Sequence, residues 1–144
     1  MGPTETERDA FRRGYVTAIL WANAYREDAE TGELVPDEDA DYAYVTPGRW
    51  WEDIGVDLSD ADSFLANNYE TLCRVVAIEG TNAVAVPLDA MEQHGHDFAL
   101  TRNGHGAGFW DRGYGEDGDT LSDAARAYGE YSVLTDDGPT VTEL

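Results

Sequence analysis

The stretch that decides the fold is His94-Gly95-His96-Asp97-Phe98-Ala99-Leu100-Thr101-Arg102-Asn103-Gly104-His105-Gly106-Ala107-Gly108-Phe109-Trp110-Asp111-Arg112-Gly113. Phe98, Leu100 and Arg102 alternate with Ala99 and Thr101, the two-residue period of a strand with one face buried. The glycines that follow supply tight turns, because glycine alone adopts positive φ without a steric penalty. The stretch therefore reads as a strand running into a Gly-rich hairpin. Arg102 and Arg112 would pair with Asp97 and Asp111, and Phe109 and Trp110 would fill the core.

Outward from it, helical spacing dominates. Thr4-x-x-Glu7 is a capping box opening a helix over about Glu5 to Arg26, with Phe11, Tyr15, Ala18, Ala22 and Tyr25 inward. Between Tyr15 and Ala22 nearly every residue is apolar, so that part is buried on most sides. Residues 31–57, with Pro36 and Pro47-Gly48, read as irregular chain pinned by Trp50 and Trp51. A second helix spans about Ser59 to Glu79: Ser59 caps it, Asp60 and Asp62 suit its positive end, and Leu65, Tyr69, Leu72 and Val76 form its inner stripe. Cys73 beside that stripe is a small core residue, with no base next to it in sequence to activate a thiolate. The stretch Ala83 to Leu88 fits a short strand or the approach to another helix. Thr120 caps a third helix to about Tyr128. Tyr131 to Thr135, the turn Asp136-Asp137-Gly138 and Thr140 to Leu144 form a terminal hairpin, which Pro139 weakens. The expectation is a single acidic α+β domain over residues 1–144, about three helices packed on a small, mainly antiparallel sheet or hairpin.

Charge narrows the function. Thirty acids stand against nine bases, a net −21 in 144 residues, and every base is Arg. Binding phosphates requires basic side chains that displace counterions, so direct contact with nucleic acid or an anionic membrane is excluded. Such a surface suits solubility in a salty or GC-rich host, or attraction of a basic protein. Acids recur at Asp37, Glu38, Asp39 and Asp41, at Asp57, Asp60 and Asp62, and at Glu116 to Asp119. Along one face they would imitate the phosphates of a duplex. No apolar run nears the ~18–20 residues of a membrane span, Met1 to Thr6 show no signal-peptide pattern, and the single Cys73 excludes an internal disulfide; a cytoplasmic setting fits.

All three histidines lie between His94 and Gly113. A metal site would draw on His94, His96 and Asp97 with His105 or Asp111, since His-x-His on a strand puts both rings on one face. Gly104 to Gly108 could cradle a phosphate, but the Lys and the Ser or Thr of a P-loop are missing. His105 or His96 with an Asp partner could do acid–base chemistry, without an evident nucleophile. The structural reading, Arg–Asp pairs holding a hairpin, needs no metal or cofactor.

The run from His96 to Gly113 resembles the signature of an uncharacterised family of small bacteriophage proteins. The similarity extends more weakly to Gly118-Asp119-Thr120-Leu121, Ala127-Tyr128-Gly129 and Asp136-Asp137-Gly138, and touches Gly14 to Trp21. Ala99 stands where family members commonly carry Trp. The resemblance implies a phage or prophage origin, action in the host cytoplasm, and Arg102, Asn103, His105, Trp110, Asp111 and Arg112 as the binding residues. It implies no activity. Two classes of function follow: an accessory protein that binds a host or phage protein, with a basic or nucleic-acid-binding host protein as the expected partner and DNA mimicry as one means, or a small metal-dependent or acid–base enzyme built on residues 94–113.

Overall fold

The computed structural model of the chain describes residues 2–40, 50–78, 88–105, 108–135 and 140–144. Helix α1 (Glu5–Ala22) opens on the expected capping box: the Glu7 N–H donates to Thr4 Oγ1 at 3.1 Å and the Thr4 N–H to Glu7 Oε1 at 2.9 Å. It stops four residues before Arg26. Asn23 closes it, donating its N–H to the Ile19 carbonyl, and Ala24–Glu27 leaves at once as strand β1, so Tyr25 belongs to a sheet and not to a helix stripe. Within residues expected to be irregular, Leu34–Pro36 forms β2 and Trp50–Asp53 a short helix, α2. Trp51 is buried, as a residue anchoring this segment should be.

Helix α3 (Ser59–Ile78) covers nearly the span expected. Its start is held by Asp57 instead of Ser59, because the Asp57 carboxylate accepts from both the N–H and the hydroxyl of Ser59. The largest revision is helix α4 (Leu88–Arg102), which takes in the residues read as a strand. The alternation of Phe98, Leu100 and Arg102 was no guide to burial: Ala99 and Thr101 are as buried as they are. Residues 97–102 of this helix are all buried, so its end has no solvent face for a period of 3.6 to mark. After a 3-10 turn at Phe109–Asp111, helix α5 (Glu116–Arg126) begins four residues before Thr120. Glu116, Asp117 and Asp119 occupy its first turn, where the helix dipole favours negative charge.

Strands β3 (Val133–Leu134) and β4 (Thr142–Glu143) pair antiparallel, as expected of the terminal hairpin. The four-stranded sheet runs β2-β1-β3-β4, antiparallel at both edges and parallel between β1 and β3. The architecture is thus α+β, with several helices packed against a mixed sheet, more than three helices and more than a hairpin.

Phe98 sits at the centre of the core. Phe64 stacks on it with ring centroids 4.3 Å apart, Tyr15 at 5.4 Å, and Tyr128 meets it edge-on at 5.4 Å. Phe109 extends the stack from Phe64. Backbone contact between α1 and α4 permits this packing. A Cβ on Gly14 would lie 1.8 Å from the Glu92 carbonyl oxygen, and one on Gly95 would lie 2.0 Å from that of Phe11. Both glycines sit inside helices, where each costs about 1 kcal/mol relative to Ala, so close approach is what they provide. Gly14→Ala and Gly95→Ala should each destabilise the protein by about 3 kcal/mol or more, the upper range for overpacking, despite higher helix propensity. Urea unfolding of the two variants measures this; a gain in stability would mean the helices do not touch here.

Candidate functional site

The segment expected to hold the site divides into an inward and an outward part. Arg102, at the end of α4, points inward with its side chain 2% exposed. Its guanidinium donates to the Gly129 carbonyl (2.8 Å), the Tyr15 hydroxyl (2.9 Å), Asp60 (3.0 Å) and the Tyr128 carbonyl (3.2 Å). It also lies over the rings of Phe98, Tyr128 and Tyr131. Its ion-pair partner is therefore Asp60 and not Asp97. Burial pushes the Tyr15 phenol well above its ordinary range, keeping it a neutral acceptor for Arg102.

Asn103 and His105 do similar work. Asn103 Oδ1 accepts the Tyr131 N–H at 2.7 Å, and its amide donates to the Ala99 carbonyl. His105 Nε2 lies 2.7 Å from Asn23 Oδ1, and Asn23 reaches on to Ser132. Arg102, Asn103 and His105 thus fasten the chain after α5 to the end of α4. That is a structural duty.

Arg112 pairs with Asp97, one of the two acids expected to hold it or Arg102, donating at 2.9 and 3.2 Å to a fully buried carboxylate. Gln93 Nε2 adds a third donor at 3.0 Å. Burial raises the Asp97 pKa, and these donors pull it back. The side chain of Asp111, like the whole of Asp41, lies outside the described residues. Phe109 is in the core, but Trp110 is about half exposed, because the 3-10 turn sends adjacent side chains in different directions.

The histidines do not converge. On a helix, positions two apart point to different sides. His94 is buried against Phe109, with neither ring nitrogen in a well-formed hydrogen bond to described residues. Burial lowers its pKa to about 4, against a weak pull from the Leu72 carbonyl. His96 turns outward and packs on the exposed Trp21, ring centroids 5.7 Å apart. Burial lowers its proton affinity too. Among the described residues no three His, Cys, Asp or Glu side chains gather as a metal site would need. Cys73 is half-buried and burial raises its thiol pKa, against a reactive thiolate.

Acids expected to form an open face are partly engaged within the fold. Asp62 binds Arg12 through paired contacts of 2.7 and 2.8 Å, Asp60 holds Arg102, Asp57 starts α3, and Asp37 accepts from the Thr135 hydroxyl. Glu38 and Asp39 stand exposed.

What the sequence did not single out is a cleft of about 290 Å³ between α1 and α4, lined by Gly14, Thr17, Asp89, Glu92, Gln93 and His96. The signal was present: 14, 17 and 21 on α1 and 89, 92, 93 and 96 on α4 are each a helix face. Only a helical assignment for α4 makes the second face legible. Trp21, 57% exposed, stands beside His96 on the same face of α1 as Gly14 and Thr17.

Stability tests follow from these contacts. Arg112→Ala should cost about 2–3 kcal/mol, since it strands the buried Asp97 carboxylate with Gln93 alone, while partial exposure of Arg112 tempers the loss. Adding Asp97→Asn should recover part of the cost in a double-mutant cycle. Purely additive losses would show that the pair is not coupled. For His94, a folded pKa below the unfolded ~6.5 means the unfolded chain binds the extra proton. Its contribution is complete above about pH 6.5 and lost as pH falls toward 4, by about 3 kcal/mol in all; His96 adds in the same direction. In His94→Leu, the acid-side slope of unfolding free energy against pH should be shallower than in the parent; an unchanged slope refutes the assignment. No family model, curated protein or solved structure matches the chain, so the reading of the site rests on its own geometry.

Proposed function

We propose that the chain is a phage- or prophage-encoded accessory protein that acts in the host cytoplasm by binding a basic, nucleic-acid-binding protein in place of DNA. The observation that carries this reading is the distribution of charge. Arg12, Arg13, Arg74, Arg102 and Arg112 are each paired with a carboxylate of the same chain. Glu27, Glu30, Glu33, Glu38 and Asp39 stand exposed on the β1–β2 hairpin and the turn after it. Each pair takes one carboxylate with its guanidinium, so the net −21 is unchanged and is carried by the acids that stay unpaired. A field of this kind steers basic proteins and repels nucleic acid. No helix among the described residues is long and apolar enough to cross a membrane. The phage setting comes from the resemblance of residues 96–113. Catalysis is the weaker reading because the described histidines, acids and Cys73 form neither a metal cluster nor an activated nucleophile.

Affinity capture from host cells tests it. The expected partner is a basic nucleic-acid-binding protein, released by duplex DNA and by raising NaCl from about 0.1 M to 1 M, where the Debye length falls from ~10 Å to ~3 Å. A partner that is acidic, or that holds DNA and this protein together without interference, refutes the mimic reading.

A further inference from the structure

The chain binds two of its own guanidinium groups in the same way. Arg13 lies 5.2 Å over the Trp51 ring while its Nε donates to Glu92 at 3.3 Å. Arg102 lies against Phe98, Tyr128 and Tyr131 while donating to Asp60. In both cases a planar cation meets an aromatic face and a carboxylate together, the combination that suits guanidinium better than ammonium.

The α1–α4 cleft offers the same pair of features to solvent. Asp89 and Glu92 line it, and the exposed Trp21 stands beside it against His96. Glu92 is partly engaged by Arg13, which flanks the cleft; Asp89 has no hydrogen bond or ion pair among the described residues. Gln93 supplies an amide on the same face, although its Nε2 is directed to Asp97. At about 290 Å³ the space lies just below the ~300–1,000 Å³ of pockets that enclose whole small ligands. It suits one long side chain better than a cofactor.

We propose that this cleft receives an arginine side chain of the basic partner, its guanidinium lying against Trp21 and paired with Asp89 and the free oxygen of Glu92. The assignment rests on the accessory-protein reading and gives it a point of specificity. A diffuse negative surface sets encounter rate, whereas an aromatic and carboxylate cleft selects a planar cation. A nucleic-acid-binding face is a natural source of such a side chain, since arginine is the residue favoured for phosphate recognition.

The test has two arms. In the first, N-acetyl-arginine methylamide is titrated into the intact chain against N-acetyl-lysine methylamide and matched NaCl, following the Trp21 indole and His96 ring signals by NMR. The arginine derivative should give saturable shifts at both residues, weakened about fivefold in Asp89→Asn, the upper end for an exposed ion pair, and lost in Trp21→Ala. Both changes fall on exposed side chains, and unfolding curves confirm that the variants fold. Shifts no larger than those from NaCl, or an equal response to the lysine derivative, overturn the assignment. In the second arm the captured partner is bound to the parent and to the Trp21→Ala/Asp89→Asn double variant. At least a tenfold loss is expected. Unchanged partner affinity overturns the cleft as the partner's anchor, even if the free derivative binds, and leaves the acidic-surface reading standing. If no basic partner is captured, that reading fails, and with it the source assigned to the side chain; the titration then decides only whether the cleft recognises guanidinium.

Discussion

Two helices that meet backbone to backbone leave no room for side chains at the crossing, and most of this fold is arranged around one such contact. Gly14 of α1 lies against the Glu92 carbonyl of α4, and Gly95 of α4 against that of Phe11. On one side of the crossing this closeness brings Phe11 and Tyr15 onto Phe98, with Phe64 and Phe109 continuing the stack. Gly14 and Thr17 of α1 also line the cleft, opposite Asp89, Glu92 and His96 of α4. Core and cleft are thus both built where the same two helices meet.

The end of α4 settles where the rest of the chain goes. Arg102 is a cation inside an aromatic core, an arrangement that is costly unless nearly every donor finds an acceptor. Its acceptors come from α1, from the start of α3, and from the two carbonyls that follow α5. Asn103 and His105 extend the clamp to Tyr131 and Asn23, beside the junction where β3 pairs parallel with β1. A parallel contact between two such short strands gains little from its own ladder. Anchoring by side chains on both sides accounts for its presence.

Much of this was legible in the sequence where a local rule acts alone. Thr4 and Glu7 marked the start of α1, the span of α3 followed from its apolar stripe, and Asp97 was recognised as an arginine's partner without fixing which arginine. Where tertiary contact overrides the local pattern, legibility ended. Phe98 to Arg102 alternates in sequence yet is helical, because burial all round removes the polar face that would have revealed a period of 3.6. That one misassignment spread to the site. Taken as a strand, His94 and His96 share a face and suggest a metal; taken as a helix, one is sealed in the core and the other stacks on Trp21. Nor does spacing reveal that Arg102 would find Asp60, forty-two positions away.

The same geometry bears on the meaning of the charge. A net −21 viewed as composition is a uniform property, compatible with solubility alone. Position changes its weight. The paired arginines hold helices together, as Arg12 does between α1 and Asp62 of α3, and Arg74 between α3 and Asp117 of α5. A surface pair contributes at most about 1 kcal/mol, so several such pairs are a modest source of stability. They leave the net charge as it is, since each guanidinium is matched by one carboxylate. The exposed acids Glu27, Glu30 and Glu33 of the β1–β2 hairpin, with the exposed Arg26 among them, are screened mainly by solvent ions. A basic partner that displaces those ions gains from their release, by the argument that applies to a phosphate backbone. Acids held in this way offer attraction without direction, and direction is what Trp21 and Asp89 can add beside them.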